Sequence, residues 1–210
     1  DLRAAFTAAT PAERVERMRA LWEEPQSAGA RYSRLILTAR AAARLNPDAA
    51  LRDDADRLIA SMLSAGLDRA AMRWRGVAER GSEGAALLLL ADPSARPVSA
   101  GDAGAYRGDN AALYAAAMAG TGRVSEGDGA QLMRGANVNF EAANAWTRAI
   151  GEAAQRGEAG TVVLLAATGM QTRIWAGVSP EALFHITRAL TRVGLGGYAR
   201  MIAVEAITRT

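Results

Sequence analysis

The sequence predicts an all-α protein in which antiparallel helical hairpins stack as a short α-solenoid, with an irregular helical bundle as the alternative. Three observations predict this class: apolar residues recur at helical spacing, N-cap residues with prolines and glycines mark helix ends, and no stretch alternates long enough to indicate a strand. With 210 residues, 50% of them hydrophobic, we expect residues 1–210 to form a single all-helical domain that is part of a longer protein.

Helix signals begin near the N-terminus. Thr10 is an expected N-cap, Pro11 occupies the first helical position, and Glu13 completes a capping box. Two further helices are predicted from apolar stripes, the first at Tyr32, Leu35, Ile36, Ala39 and Ala43, the second at Leu51, Ala55, Leu58, Ile59, Met62 and Leu63.

Glycine and proline separate the predicted helices in the middle of the chain. Gly66 lies where a left-handed helix C-cap is expected, and Asp68 is predicted to cap the next helix. The run AALLLLAD at 85–92 is apolar nearly all round, which predicts a short buried helix. Residues 92–109 are rich in Pro, Gly, Ser and Asp and therefore predict a long loop.

The second half carries equally clear helix starts. They are predicted at Asn110, at Ser125, at Asn139 or its neighbours, and at Ser179 with Pro180. The helix opened near Asn139 is expected to carry Ala143, Trp146 and Ile150. Residues 161–170 predict a second largely apolar helix, and the last helix is expected to carry an apolar stripe of Leu195, Tyr198, Ile202 and Ala206.

Glycines recur at matched intervals. Gly120, Gly157 and Gly194 are each 37 residues apart, a period typical of arrays of helical hairpins. In the stretch TRVGLGGYAR, we expect Gly194 to close one helix at positive φ. Gly196 and Gly197 are expected to make room where the returning helix crosses the first.

The predicted stack is similar in outline to a tetratricopeptide superhelix, whose repeats have a period near 34 residues. That family places Trp, a Leu-Gly pair and Tyr in its first helix, and GLGGYAR has some of these letters at the wrong spacing. The sequence therefore predicts stacking of this general kind without membership in the family.

Composition excludes several classes. All 25 basic residues are arginine, which we attribute to a GC-rich bacterial genome, and the net charge of +3 neither requires nor excludes nucleic acid. The absence of cysteine excludes disulfides and thiol chemistry and is compatible with both cytoplasm and periplasm, so the localisation stays open. No apolar run reaches the roughly 20 residues of a membrane span. Because the chain begins with Asp1, we expect it to be processed or cut from a longer protein.

No pattern of catalytic residues is evident. The only histidine, His185, lies on an amphipathic helix and is expected to be structural or at the surface. The carboxylates at 53–56 are flanked by arginines, which predicts surface ion pairs. The glycine-rich stretch 120–129 lacks the lysine of a phosphate loop. The sequence thus predicts a protein that is not an enzyme, with no metal and no cofactor.

Two clusters are the candidate binding residues: Arg69, Arg73, Trp74 and Arg80 along one predicted helix, and Tyr106, Arg107 and Asp109 in the long loop. The leading hypothesis is a scaffold for a protein or peptide partner, in which arginine ridges beside Ala and Gly grooves accept an acidic or extended segment.

Two alternatives stay open. One is a nucleic-acid-binding helical domain that uses the face from Arg69 to Arg80, although the acidic residues in the same helix disfavour it. The other is a helical accessory domain of a bacterial cell-envelope enzyme. The sequence does not predict an oligomeric state.

Overall fold

The computed structural model describes residues 2–94, 96–141, 144–171 and 178–209. Within these ranges the backbone is helical and contains no β-strand, which confirms the predicted all-α class. The chain folds into two compact units. Unit 1 spans residues 1–92 together with Arg209, and unit 2 spans Pro93–Thr208.

Unit 1 is built around one buried helix. Its α-helices are α1 (Leu2–Thr7), α2 (Pro11–Glu23), α3 (Ala28–Ala43), α4 (Ala55–Ser64), α5 (Asp68–Met72) and α6 (Glu83–Ala91), with 3₁₀ helices at Ala49–Asp54 and Arg73–Gly76. Helix α4 packs against α3, α5 and α6. The stripe predicted for it is buried at every position, and α6 is buried as predicted, so hydrophobic burial fixes both helices.

A buried chain of hydrogen bonds ties three helices of unit 1 together. Trp22 on α2 donates its indole N–H to the hydroxyl of Thr38 on α3 at 2.8 Å. The Thr38 hydroxyl lies 3.0 Å from that of Ser61 on α4, which donates to the Leu35 carbonyl at 2.7 Å. Each buried polar atom thus finds a partner on a neighbouring helix.

Two carboxylates that are predicted to form solvated surface ion pairs link neighbouring helices to each other. Asp54 is buried and accepts from Arg19 through both oxygens, with each N–O distance 2.5 Å. Asp56 accepts from the Ser82 hydroxyl at 2.6 Å and from the Gly84 amide at 2.9 Å, at the start of α6. The expectation of solvated surface pairs is therefore wrong for these two residues, because helix packing brings distant donors onto them.

The capping box at the start of α2 is confirmed. Thr10 Oγ1 accepts from the amide of Glu13 at 3.2 Å, and Glu13 Oε2 accepts from the amide of Thr10 at 3.1 Å. The predicted cap at Asp68 is wrong. Leu67 occupies the N-cap position without a side-chain hydrogen bond, and Asp68 is already the first helical residue of α5.

Unit 2 consists of seven α-helices in its described residues. They are α7 (Ala100–Ala103), α8 (Ala111–Gly120), α9 (Glu126–Gly135), α10 (Ala145–Gln155), α11 (Ala159–Gly169), α12 (Pro180–Arg192) and α13 (Gly196–Thr208). Consecutive helices pack in pairs, α8 with α9, α10 with α11 and α12 with α13. Helix α12 also packs against α8, α10 and α11, so it is the central helix of the unit.

Some predicted boundaries in unit 2 are wrong. The segment predicted as a loop contains the single turn α7, capped by Ser99. Helix α10 begins after Asn144, whose side chain forms a capping box with Thr147, and not near Asn139. Ala143, predicted on that helix, lies outside the described residues.

The last helix faces its neighbours differently from the prediction. Ala206 is buried and Leu195 and Ile202 are partly buried, as predicted, but Tyr198 is 64% exposed, and Ala199 and Ala203 are buried instead. Small alanines therefore make the contact predicted for the larger side chain, because they allow closer helix packing.

Four glycines close helices as the sequence predicts for Gly66 and Gly194. The φ angles are +70° at Gly66, +68° at Gly122, +74° at Gly157 and +83° at Gly194. After Gly194 the amide of Leu195 donates to the carbonyl of Leu190 at 2.8 Å, the bond of a Schellman motif. These positions favour glycine because any Cβ is strained there.

The role expected of Gly196 and Gly197 is wrong, because a Cβ on Gly197 would meet nothing within 4 Å. The close helix crossing is at Gly120 instead, where a Cβ would lie 2.8 Å from the Phe184 carbonyl oxygen on α12. Gly120 allows α8 to pack closely on α12, whereas Gly157 and Gly194 allow the chain to reverse direction after a helix. The glycines spaced by 37 residues are therefore not structurally equivalent.

Candidate functional site

The predicted arginine stripe in unit 1 does not form one helical face. Arg69 lies on α5, Arg73 begins a 3₁₀ helix, and Arg80 follows in a turn, because the α-helix ends at Met72. All three arginines are exposed. Trp74 has no exposed surface and belongs to the core.

Arg73 has a structural partner at the end of another helix. Its Nη2 donates to the Ala43 carbonyl at 2.8 Å and to the Leu45 carbonyl at 3.3 Å. A guanidinium in this position satisfies carbonyls that the end of α3 leaves unpaired and complements the helix dipole.

The second predicted cluster is divided between core and surface. Tyr106 is buried and stacks edge-to-face on Tyr114, with ring centroids 5.3 Å apart, whereas Arg107 and Asp109 are exposed. Tyr106, Arg107 and Tyr114 line a pocket of about 380 Å³ between α8 and α9. The Tyr114 hydroxyl is buried without a hydrogen-bond partner in the described part of the chain, and burial raises the pKa of Tyr114.

Another pocket lies between α8, α9 and α12, and we call it the apolar pocket. Its volume is about 320 Å³. The described residues that line it are Ala119, Gly120, Gly122, Val124, Ser125, Glu126, Gly129, Ala130, Met133, Phe140, Phe184, Arg188, Thr191 and Arg192. Glycine and alanine on α8 and α9 let the two helices approach closely; a Cβ on Gly129 would lie 3.0 Å from that of Ala119. The remaining large side chains then surround a space that these small residues leave empty.

Aromatic and charged groups define one side of the apolar pocket. Phe140 and Phe184 meet edge-to-face with centroids 6.1 Å apart, and Arg188 lies over the Phe184 ring at 5.5 Å. Arg188 Nη2 is 3.3 Å from Glu126 Oε1, and the Glu126 side chain is 90% exposed. A pair this exposed contributes little free energy, so a competing carboxylate can replace Glu126 at small cost.

Arg188 and Arg192 also face a second cavity on the other side of α12. It has a volume of about 480 Å³, and we call it the arginine cleft. The described residues that line it are Thr147, Arg148, Ile150, Gly151, Glu152, Ala154, Gln155, His185, Arg188, Ala189 and Arg192. Two arginines one turn apart on α12 therefore separate an apolar pocket from a basic cleft.

His185 is half-buried in the wall of the arginine cleft. Its Nε2 is buried and has no hydrogen-bond partner among the residues that the structure describes. Burial, and secondarily the charge of Arg188, lower the pKa of His185 below its ordinary 6.5, against a smaller opposing effect of Glu181. The surroundings therefore disfavour the charged form of the imidazole.

Sequence reasoning did not single out Arg148, Arg188 or Arg192. The available signal was the four-residue spacing of Arg188 and Arg192 on a strongly amphipathic helix. That signal is common on helix surfaces, and only the packing of α10 against α12 adds Arg148 to it.

No group of three or more metal-ligating side chains is present in residues 2–94, 96–141, 144–171 and 178–209. None of the helices described there has the length and apolar character needed to cross a membrane. Comparison with known proteins gives no match to a family model, a curated protein or a solved structure.

Proposed function

We propose that this protein is a non-enzymatic helical scaffold that binds a protein or peptide segment along α12 of unit 2. The observation that carries the proposal is the apolar pocket with Arg188 and Arg192 on its rim. A pocket of this size lies in the range that holds small ligands and large side chains. Its aromatic floor suits a bulky apolar anchor residue.

The rim favours an acidic neighbour to that anchor. Arg188 is 55% exposed and its partner Glu126 is easily displaced. Arg192 makes no ion pair within the described residues. A segment that combines a large apolar side chain with a carboxylate would fill the pocket and compete for both guanidinium groups.

The arrangement of hairpins as an α-solenoid stays a prediction. The prediction of antiparallel hairpins is supported by two features of unit 2: its three packed helix pairs, and the glycines of positive φ that close α8, α10 and α12. In a solenoid each repeat contacts only its neighbours, whereas α12 packs against helices of all three pairs. This pattern favours the irregular bundle for unit 2, and the proposed binding role depends on the pocket alone.

A peptide selection tests the proposal. A displayed library of random 12-residue peptides is selected against the whole chain, and the enriched peptides are measured by fluorescence polarisation. We expect peptides with one bulky apolar residue close to acidic residues. Ala130→Leu, which fills the pocket from its half-buried lining, should weaken binding at least about tenfold, since an anchor residue is worth about 2 kcal/mol.

Ala145→Leu is the matched control, because Ala145 is exposed at the start of α10 and lines none of the pockets above. It should bind the peptides as the wild type does. If no peptide is enriched, or if Ala130→Leu binds with wild-type affinity, the proposal is wrong.

Neither alternative gains support from this geometry. A nucleic-acid-binding face at Arg69–Arg80 would need its basic residues on one surface, and the end of the α-helix at Met72 breaks the expected alignment. The accessory-domain hypothesis stays a prediction.

A further inference from the structure

We infer that the arginine cleft between α10 and α12 is an oxyanion subsite that takes a dianionic group of the bound segment, either a phosphoryl group or two neighbouring carboxylates. The inference rests on the proposed function for the nature of the carrier. The chemistry common to both sources is a compact group of oxygens carrying about two negative charges.

The charge of the side chains that line the cleft is the first argument for an oxyanion site. Arg148 projects from α10, and Arg188 and Arg192 project from α12. Glu152 is the one acid among the described lining residues, and it lies 3.8 Å from Arg156, which draws it toward its own helix. The side chains that line the cleft therefore carry a formal charge of +2, from three arginines and one glutamate. Guanidinium groups bind phosphate and carboxylate oxygens through paired hydrogen bonds.

The arginines of the cleft are available to a ligand. Neither Arg148 nor Arg192 forms an ion pair with any residue in the described ranges, and both are exposed. The ion pair of Arg188 points toward the apolar pocket and involves the largely exposed Glu126. An oxyanion would thus meet Arg148 and Arg192 without breaking an internal ion pair, and Arg188 would join them by giving up only its exposed pair with Glu126.

His185 lies in the wall of the arginine cleft and can report on its occupancy. Its buried Nε2 lacks a partner among the described residues, whereas buried polar atoms in proteins are normally paired. The apolar Ile150, Ala154 and Ala189 in the same wall exclude water from that side, which strengthens hydrogen bonds formed there. The Nε2 nitrogen has almost no accessible surface, so His185 reports on the wall of the cleft and is not counted among the groups that contact the ligand.

The position of the cleft also predicts which segments bind. Arg188 and Arg192 line both cavities, so the anchor residue and the dianionic group must be neighbours on the ligand. A segment with the anchor alone would leave the cleft empty, and one with the charges alone would leave the pocket empty.

The single histidine of the chain provides a direct probe. We would follow the imidazole C–H signal of His185 by NMR at pH 7 while adding phenyl phosphate, the peptide acetyl-Phe-Glu-Glu-amide, or sodium chloride at matched ionic strength. We expect a saturable shift with phenyl phosphate, the peptide or both, and none with sodium chloride. A response to phenyl phosphate alone assigns a phosphoryl group; a response to the peptide alone assigns carboxylates.

Variants identify the residues responsible. Arg148→Gln should weaken the binding that moves the His185 signal about tenfold, as expected for loss of one charge-assisted interaction. Arg134→Gln is the matched control, an exposed arginine on α9 outside both cavities, and should leave that binding unchanged. Unchanged thermal unfolding midpoints would show that both variants fold.

The inference and the proposed function fail in different ways. If peptides are selected and bind through the apolar pocket but Arg148→Gln binds every anion as the wild type does, the subsite is wrong and the scaffold role stands. If the His185 signal follows ionic strength alone, the subsite is also wrong. If phenyl phosphate binds through Arg148 but no peptide is ever selected, the anion site stands and the scaffold role is wrong.

Discussion

Positive backbone φ angles explain why particular glycines occur where they do. In TRVGLGGYAR, Gly194 has φ of +83°, while Gly197 lies within α13 in open surroundings. The first glycine is required by its conformation and the second is not. A pattern of three glycines in four residues therefore contains one position that closes a helix and others that only weaken the next one.

The two glycines should respond oppositely to alanine. Gly194→Ala forces a Cβ into the left-handed region and should lower the free energy of unfolding by about 1 kcal/mol. Gly197→Ala should raise it by about 0.5 kcal/mol, since alanine has the higher helix propensity. Urea unfolding followed by circular dichroism measures both. Equal effects of the two variants would contradict this assignment.

His185 is a residue whose protonation near neutral pH should affect folding. Its pKa is lowered in the folded protein, first by burial and then by Arg188. Above the unfolded pKa of about 6.5 both states are neutral, so the full stability is present. As the pH falls from there toward the folded pKa, the unfolded state binds the proton first and stability is lost.

His185→Gln should remove that loss. The thermal unfolding midpoint of the wild type should fall more steeply than that of the variant between pH 6.5 and the lower folded pKa, and the two slopes should agree above pH 7. Apart from Glu181, whose pKa the charged imidazole lowers, the carboxylates titrate alike in both proteins and cancel in the difference. Parallel curves over the whole range would show that folding does not disfavour the charged imidazole.

Helix pairs in unit 2 depend on small residues at their crossings. At Gly120, an added Cβ would meet the Thr187 hydroxyl and lie 2.8 Å from the Phe184 carbonyl oxygen. The second neighbour is backbone and cannot rotate away, so α8 and α12 would have to separate. The same contact positions the wall of the apolar pocket, which joins packing to the proposed function.

Gly120→Ala should therefore be destabilising by about 2 kcal/mol, in the range of an overpacked core. It should also weaken peptide binding, because the pocket is built on the contact between α8 and α12. Gly127→Ala on α9 is the control, since its Cβ would meet nothing within 4 Å. Denaturant unfolding and fluorescence polarisation measure the two effects. A stable Gly120→Ala protein would mean that the helices are not this close.

Helix starts and ends could largely be predicted, because their signals are local. Thr10 and Ser179 cap helices through bonds to amides three residues on, and Gly66 closes one through its own φ angle. The start predicted near Asn139 fails because Asn144 offers the same chemistry five residues later. A polar residue before an apolar run is common, and the sequence alone does not rank two such candidates.

At the scale of the whole molecule, the binding residues are the feature that local sequence patterns predict least well. Trp74 and Tyr106 are predicted to bind a partner, yet both are buried. An aromatic side chain at helical spacing is compatible with either role, and only its neighbours decide between them. Conversely, Arg148 and Arg192 are far apart in the sequence and line one cavity because α10 packs against α12.

The sequence by itself determined that the chain is helical, where several of its helices begin and that Gly66 and Gly194 close helices, because capping, φ preference and apolar spacing act over one or two turns. Only the tertiary structure decided that α12 is the central helix of unit 2 and that Gly120 is a packing contact. It also decided that the two arginines on α12 separate an apolar pocket from a basic cleft. The physical reason is range: packing depends on side-chain shapes that meet across distant segments, and no local pattern specifies which helices will meet.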